Sequence, residues 1–136
     1  MPKINKMEID YIENINEFGE NVLRLYNFDK SQAIKFRDLI KDVILDKKQK
    51  LDLSKVDFIE VGNYNLILGL FKTDEGILSS DNKIFYCALT LEGFNTILKL
   101  IEPFCIKELI SHQYLYEIDN PIDFLFSPAG TSSFDL

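Results

Sequence analysis

Residues 66–71, Leu-Ile-Leu-Gly-Leu-Phe, and residues 84–89, Ile-Phe-Tyr-Cys-Ala-Leu, are the stretches of this chain that decide its fold. Both favour β-strands, and both are apolar at successive positions rather than at every second one. Successive side chains of a strand point to opposite faces of a sheet, so we expect both faces of the sheet to be covered. The run from Val56 to Glu102, which contains both strands, is therefore predicted to be the centre of the fold.

A hairpin is predicted at the start of this run. Residues 58–61, Phe-Ile-Glu-Val, favour a strand, and Gly62-Asn63 after them is a two-residue turn signal that suits type II′ geometry. We therefore expect residues 64–72 to return antiparallel to residues 58–61. The loop 73–82 contains Gly, Ser, Asp and Asn, which are residues typical of turns.

Two amphipathic helices are predicted to cover the sheet. Asp29 and Gln32 form a capping-box pattern at the start of the first helix, and apolar residues follow at helical spacing. Thr90 is a suitable N-cap for the second helix, and Pro103 is expected to stop it.

The two ends of the chain supply further strands. Residues 7–11 alternate apolar and polar, which favours a strand over a competing helical periodicity, and residues 22–28 can pair with them. The aromatic stretches 114–116 and 122–126 indicate two more strands. We expect this C-terminal arm to join the core sheet, and the alternative is a docking arm or an exposed patch for a partner.

The predicted fold class is α+β for a single small acidic domain over residues 1–136. One mainly antiparallel sheet of five to seven strands carries two packed amphipathic helices, in the order ββαβββαβ with one further β-strand optional at the end. The expected core consists of Leu25, Phe36, Ile40, Val43, Ile59, Leu66, Leu68, Leu70, Phe85, Cys87, Leu89, Phe94, Ile97, Leu98, Ile101 and Phe124.

The formal net charge of −7 is concentrated at the two ends of the chain. Residues 1–23 carry −3, residues 24–107 carry +1, and the remainder carries −5 without any Lys or Arg. This distribution disfavours nucleic acid and anionic membranes, which select basic patches. It permits a basic protein partner attracted by electrostatic steering, although acidic ends can also serve solubility alone. The candidate partner-binding residues are Glu8, Asp10, Glu13, Glu17, Glu20, Tyr114, Tyr116, Glu117, Asp119 and Asp123.

The sequence offers little catalytic chemistry. His112 is the only histidine, and Cys105 would share a helical face with it, which permits a thiolate–imidazole pair. The sequence contains no glycine-rich phosphate loop, no Gly-x-Ser-x-Gly and no His-Glu-x-x-His motif. We expect no cofactor and no metal site. Cys87 and Cys105 lack paired spacing, and the chain shows no secretory or membrane-spanning stretch, which favours a reduced cytoplasmic protein.

Three function classes remain. The first is a small acidic protein-binding module for a basic protein, a description that immunity and antitoxin proteins fit by composition alone. The second is a homo-oligomeric structural or accessory protein, such as a homodimer, that buries the aromatic C-terminal arm between subunits. The third, a small hydrolase using carboxylates or the pair of Cys105 and His112, is the least favoured, and we predict a protein that is not an enzyme.

Overall fold

Two mixed β-sheets and two helices build this α+β protein in the computed structural model, which describes residues 6–15, 17, 19–117 and 122–130. In chain order the elements are β1 (Met7–Ile12), β2 (Asn21–Phe28), α1 (Lys30–Leu39) with a π-helical continuation (Ile40–Asp46), β3 (Leu51–Asp52), a short 3-10 turn (Leu53–Lys55), β4 (Ile59–Glu60), β5 (Asn65–Leu70), β6 (Gly76–Leu78), β7 (Ile84–Leu89), α2 (Leu91–Ile106), β8 (Gln113–Tyr116) and β9 (Ile122–Pro128).

The predicted α+β class with two helices is confirmed, but the predicted single sheet is wrong, because the strands form two sheets that each mix antiparallel and parallel pairs. Within the described residues a five-stranded sheet has the order β4-β1-β2-β9-β8, and a four-stranded sheet has the order β3-β5-β7-β6. Three neighbouring pairs are parallel, namely β1 with β4, β2 with β9, and β5 with β7. Parallel neighbours need long connections, so local turn signals in the sequence could not reveal them.

The predicted hairpin at Gly62-Asn63 is also wrong, although Gly62 does adopt the left-handed turn conformation, with φ of 56°. Strand β4 pairs with β1 in the five-stranded sheet, whereas β5 pairs with β3 and β7 in the other. The turn therefore carries the chain from one sheet to the next. Turn residues determine that the chain reverses, but they do not determine which strands pair.

The helix starts follow the prediction, and one helix end does not. The side chain of Asp29 accepts a hydrogen bond from the Gln32 amide at 2.8 Å, and the Gln32 side chain accepts one from the Asp29 amide. Thr90 Oγ1 accepts a hydrogen bond from the Gly93 amide at 3.1 Å. Helix α2 continues past Pro103 to Ile106. A proline in the last turn removes one amide donor, and this does not end the helix.

One hydrophobic core joins both sheets and both helices. The predicted core residues are buried, except that Val43 and Leu70 are only partly buried at its margin. Core residues of β2 that were not predicted include Leu23 and Phe28. The strand β6 was not predicted either, because Gly76-Ile77-Leu78 is too short to show a period.

The expectation that both faces of the central strands are covered is wrong for the four-stranded sheet. Leu66, Leu68 and Phe85 lie on the inner face and are fully buried. On the opposite face Phe71 and Tyr86 are 48% and 44% exposed. This outer face is therefore an apolar surface open to solvent.

Candidate functional site: an acidic cluster beside a groove

The parallel pairing of β2 with β9 brings the two acidic ends of the chain together. Asn21 pairs with Ile122 and Val22 with Asp123, so Glu20 lies at the end of the sheet where β9 begins. Strand β8 runs antiparallel to β9, which places Glu117 at the same end. We call Glu20, Glu117 and Asp123 the acidic cluster.

The charges of the acidic cluster oppose one another. Asp123 is only 8% exposed, and its burial, followed by the charges of Glu20 and Glu117, raises the pKa of its carboxyl to about 6. Burial also raises the pKa of Tyr114, with smaller contributions from the same three carboxylates. In the part of the chain that the structure describes, no Lys or Arg forms an ion pair with Asp123 or Glu117. Perturbed carboxyls of this kind concentrate at functional sites.

A groove of about 280 Å³ lies between α2 and β8, next to the acidic cluster. Gly93, Thr96 and Leu100 line it from the helix, and residues 113–117 line it from the strand. A Cβ atom at Gly93 would lie 2.5 Å from Asp74 Oδ1, an atom that accepts a hydrogen bond from the Thr90 amide. A glycine is therefore needed where α2 meets the loop before β6.

The groove residues of α2 were not anticipated from the sequence. Gly93, Thr96 and Leu100 are spaced by three and four residues, which places them along one side of a helix. The small residues Gly93 and Thr96, next to the apolar face of the helix, were the sequence feature that could have indicated a groove there.

Two of the predicted site residues, Glu8 and Asp10, already have partners within the five-stranded sheet. Arg24 donates to Asp10 with both Nε at 3.1 Å and a terminal nitrogen at 2.8 Å. The guanidinium of Arg24 also lies 4.1 Å from the centre of the Tyr26 ring. The side-chain nitrogen Nδ2 of Asn27 donates a hydrogen bond to Glu8 Oε2 at 2.9 Å. The charge of Asp10 is thus balanced inside the molecule.

Three further predicted residues, Glu13, Glu17 and Tyr116, are not brought into the acidic cluster. Glu13 and Glu17 are exposed in the connection between β1 and β2. The hydroxyl of Tyr116 donates to the Asp74 carbonyl oxygen at 3.2 Å, and its ring packs against the core. Asp119 lies outside the described residues.

The aromatic C-terminal arm is part of the core. Strand β9 lies between β2 and β8, and Phe124 and Phe126 are fully buried. The Phe126 ring stacks on Phe28 with 3.9 Å between centroids and meets Phe104 edge-on at 5.1 Å. The structure therefore supports the core interpretation of residues 122–126 over a free docking arm.

The helical premise of the Cys105 and His112 pair is wrong. Helix α2 ends at Ile106, and Lys107 is extended, so the two residues do not share a helix face. Burial raises the pKa of the Cys105 thiol, whereas a nucleophilic thiolate needs a lowered pKa. Burial also raises the pKa of Cys87, a core residue as predicted.

Among the residues that the structure describes, no group of three or more His, Cys, Asp or Glu side chains is placed to hold a metal ion. None of the helices in the described ranges is long and apolar enough to cross a membrane.

No protein-family model matches this chain, and no curated protein sequence matches it significantly.

Proposed function

We propose that this protein is a cytoplasmic protein-binding module, and that its acidic cluster receives a basic side chain of a protein partner. The observation that carries the proposal is the convergence of Glu20, Glu117 and Asp123 beside a groove. An immunity or antitoxin protein, which neutralises a toxin enzyme, is one form that such a module takes. The proposed role is binding and includes no catalytic step.

The electrostatics of the acidic cluster favour a cation. At pH 7 the Asp123 carboxyl is ionised although burial and two neighbouring carboxylates oppose its charge. A Lys or Arg side chain of a partner would offset this repulsion in a partly desolvated site, where charge pairs interact more strongly than in water. The free protein therefore carries an unfavourable charge that binding relieves.

The groove matches the rest of a basic side chain. Its helix wall is formed by Gly93 and the apolar Leu100, and Tyr114 and Glu117 belong to its other wall. Lys and Arg bury their aliphatic stems against apolar surface and keep the charged group at a polar rim. A stem lying in the groove would place its charge near Glu117.

Affinity capture from the native cell, at low and at high salt, identifies the partner. With the purified partner, Asp123→Asn and Glu117→Gln should each weaken binding by about tenfold or more, because each removes one member of a charge-assisted contact. The association rate should fall as salt screens the charges. The matched control is Glu60→Gln, an exposed carboxylate on the opposite edge strand of the same sheet, which should leave the affinity unchanged.

The affinity should also depend on pH. The partner binds the ionised form, and the free Asp123 carboxyl has a pKa of about 6, so the affinity should fall as the pH drops below 6. In the Asp123→Asn variant this pH dependence should be reduced. A captured partner whose affinity is unchanged by salt, by pH and by both substitutions would refute the proposal. The recovery of no partner at low or at high salt would also refute it.

A further inference from the structure

Exposed apolar residues are concentrated on the outer face of the four-stranded sheet. Phe71, Leu78, Ile84 and Tyr86 are 48%, 44%, 42% and 44% exposed, and strand alternation and register place all four on this side. Exposed apolar residues grouped on one sheet face are typical of an interaction surface. This surface lies on a different sheet from the acidic cluster.

The register of the sheet arranges this face in two rows that run across the strands. Ile67 pairs with Tyr86, and Tyr86 pairs with Leu78, which forms a ridge of large side chains. In the next row Gly69 pairs with Ala88, and Ala88 pairs with Gly76. We call this second row the small row. A depression of about 210 Å³ includes Gly69 and Ala88 of the small row, with Ile67 and Phe71 on either side.

The edge strand β3 extends both rows with opposite charges. Asp52 pairs with Ile67 and continues the ridge. Lys50 continues the small row, since a Cβ atom at Gly69 would lie 3.2 Å from Lys50 Cγ. Within the described residues Lys50 forms no ion pair. Asp52 Oδ1 accepts hydrogen bonds from Ser54 and Asn65, whereas Oδ2 accepts none from the described chain.

We propose that this face binds a second copy of the same chain. A two-fold axis that runs across the strands, between the two rows, places the ridge of each subunit over the small row of the other. The large Tyr86 side chain then lies over the partner subunit's Ala88, and Ile67 contacts the aliphatic stem of the partner subunit's Lys50, which covers Gly69. Sheets pack face to face about 10 Å apart, and small residues opposite large ones permit close contact.

The same axis also matches the charges. Lys50 lies in the small row and Asp52 in the ridge, so the operation that exchanges the two rows brings Lys50 to the partner subunit's Asp52. The contact occurs twice, because a two-fold interface uses the same patch on both subunits. One symmetry operation thus satisfies both the shape and the charge of this face, which identifies a second copy as the occupant.

The overall charge of the molecule favours this face for self-association. The whole chain carries −7, so two copies repel each other through their acidic ends. Residues 47–90, which include all four strands of this sheet, contain six basic and six acidic residues and are neutral. Two copies therefore meet with the least repulsion through the four-stranded sheet.

Sedimentation equilibrium over a range of protein concentrations tests the proposal. The parent chain should dimerise reversibly, and Tyr86→Ser should raise the dimer dissociation constant by about tenfold or more. The matched control is Ile106→Ser, which removes a residue that is 67% exposed on α2 and should leave the constant unchanged. A parent chain that remains monomeric at the highest concentration would overturn the proposal.

Charge exchange gives a sharper test of the geometry. In a dimer of Lys50→Glu chains, an acidic residue at position 50 faces the partner subunit's Asp52 at both contacts. In a dimer of Asp52→Lys chains, two basic residues face each other at both contacts. Each variant should therefore dimerise about tenfold more weakly. An equimolar mixture of the two variants restores both attractive pairs and should form a heterodimer. The control Lys99→Glu on α2 makes the same charge change away from this face and should behave as the parent chain. Equal dimerisation of all variants, or no recovery in the mixture, would overturn the arrangement.

Discussion

Asp123 is the residue whose environment is least favourable to its own charge. It is almost fully buried on β9, and the negative charges of Glu20 and Glu117 further raise the pKa of its carboxyl. A core selected for stability alone would avoid this arrangement, because ionising a buried acid costs free energy. Residues that reduce stability in this way are typical of sites kept for function.

The substitution Asp123→Asn should therefore stabilise the protein at pH 7 and not at pH 4. The carboxyl titrates near its ordinary value of 3.8 when unfolded and at about 6 when folded. Between these values the folded state binds more protons, so stability falls as the pH rises from 4 to above 6. The asparagine of the variant does not ionise, so this loss of stability does not occur. The variant's free energy of unfolding at pH 7 should exceed that of the parent by up to about 3 kcal/mol. Urea unfolding at both pH values measures the difference.

A difference between variant and parent that is the same at pH 4 and pH 7 would contradict this assignment. The control Asp57→Asn removes an exposed carboxylate outside the acidic cluster. Its effect on the free energy of unfolding should be small at both pH values.

At the scale of single elements, strand β5 shows that a continuous apolar run can have one buried face and one partly exposed face. Its residues alternate between the buried inner face and the outer face of the four-stranded sheet, as the fully buried Leu68 and the partly exposed Ile67 show. Leu68→Asp should lower the free energy of unfolding by about 4 kcal/mol or more, because it buries an unpaired charge. The neighbouring Ile67→Asp should cost only about 1–2 kcal/mol. Urea unfolding of both variants at low protein concentration makes the comparison, and equal costs would contradict the assigned faces.

The elements themselves could largely be predicted from local sequence, and their partners could not. Asp29 and Thr90 marked both helix starts correctly, because a capping bond forms within one turn of the chain. Gly62 marked a turn correctly, but it could not show that β4 and β5 leave it for different sheets. Which strands pair depends on how the whole fold buries its apolar residues, and a short segment of sequence does not contain this information.

At the scale of the whole molecule, the candidate site depends on the joining of the two chain ends. Glu20 and Asp123 were both predicted from the charge distribution, and only the parallel pairing of β2 with β9 brings them together. Asp10 was predicted on the same grounds, but the buried Arg24 balances its charge. The groove beside α2 could not be predicted from charge, because it arises from the packing of α2 against β8.

Because β9 lies inside the five-stranded sheet, folding should require the C-terminal segment of the chain. Strand β9 lies between β2 and β8, and the Phe126 ring contacts the Phe28, Phe36 and Phe104 rings in the core. A chain that ends at Glu117 loses an inner strand and should show no cooperative urea transition by circular dichroism. Adding a peptide of residues 118–136 should restore the transition by strand addition. The same peptide with Phe124→Ser and Phe126→Ser should not restore it, and a shortened chain that unfolds at the parent's urea midpoint would show that the core does not need β9.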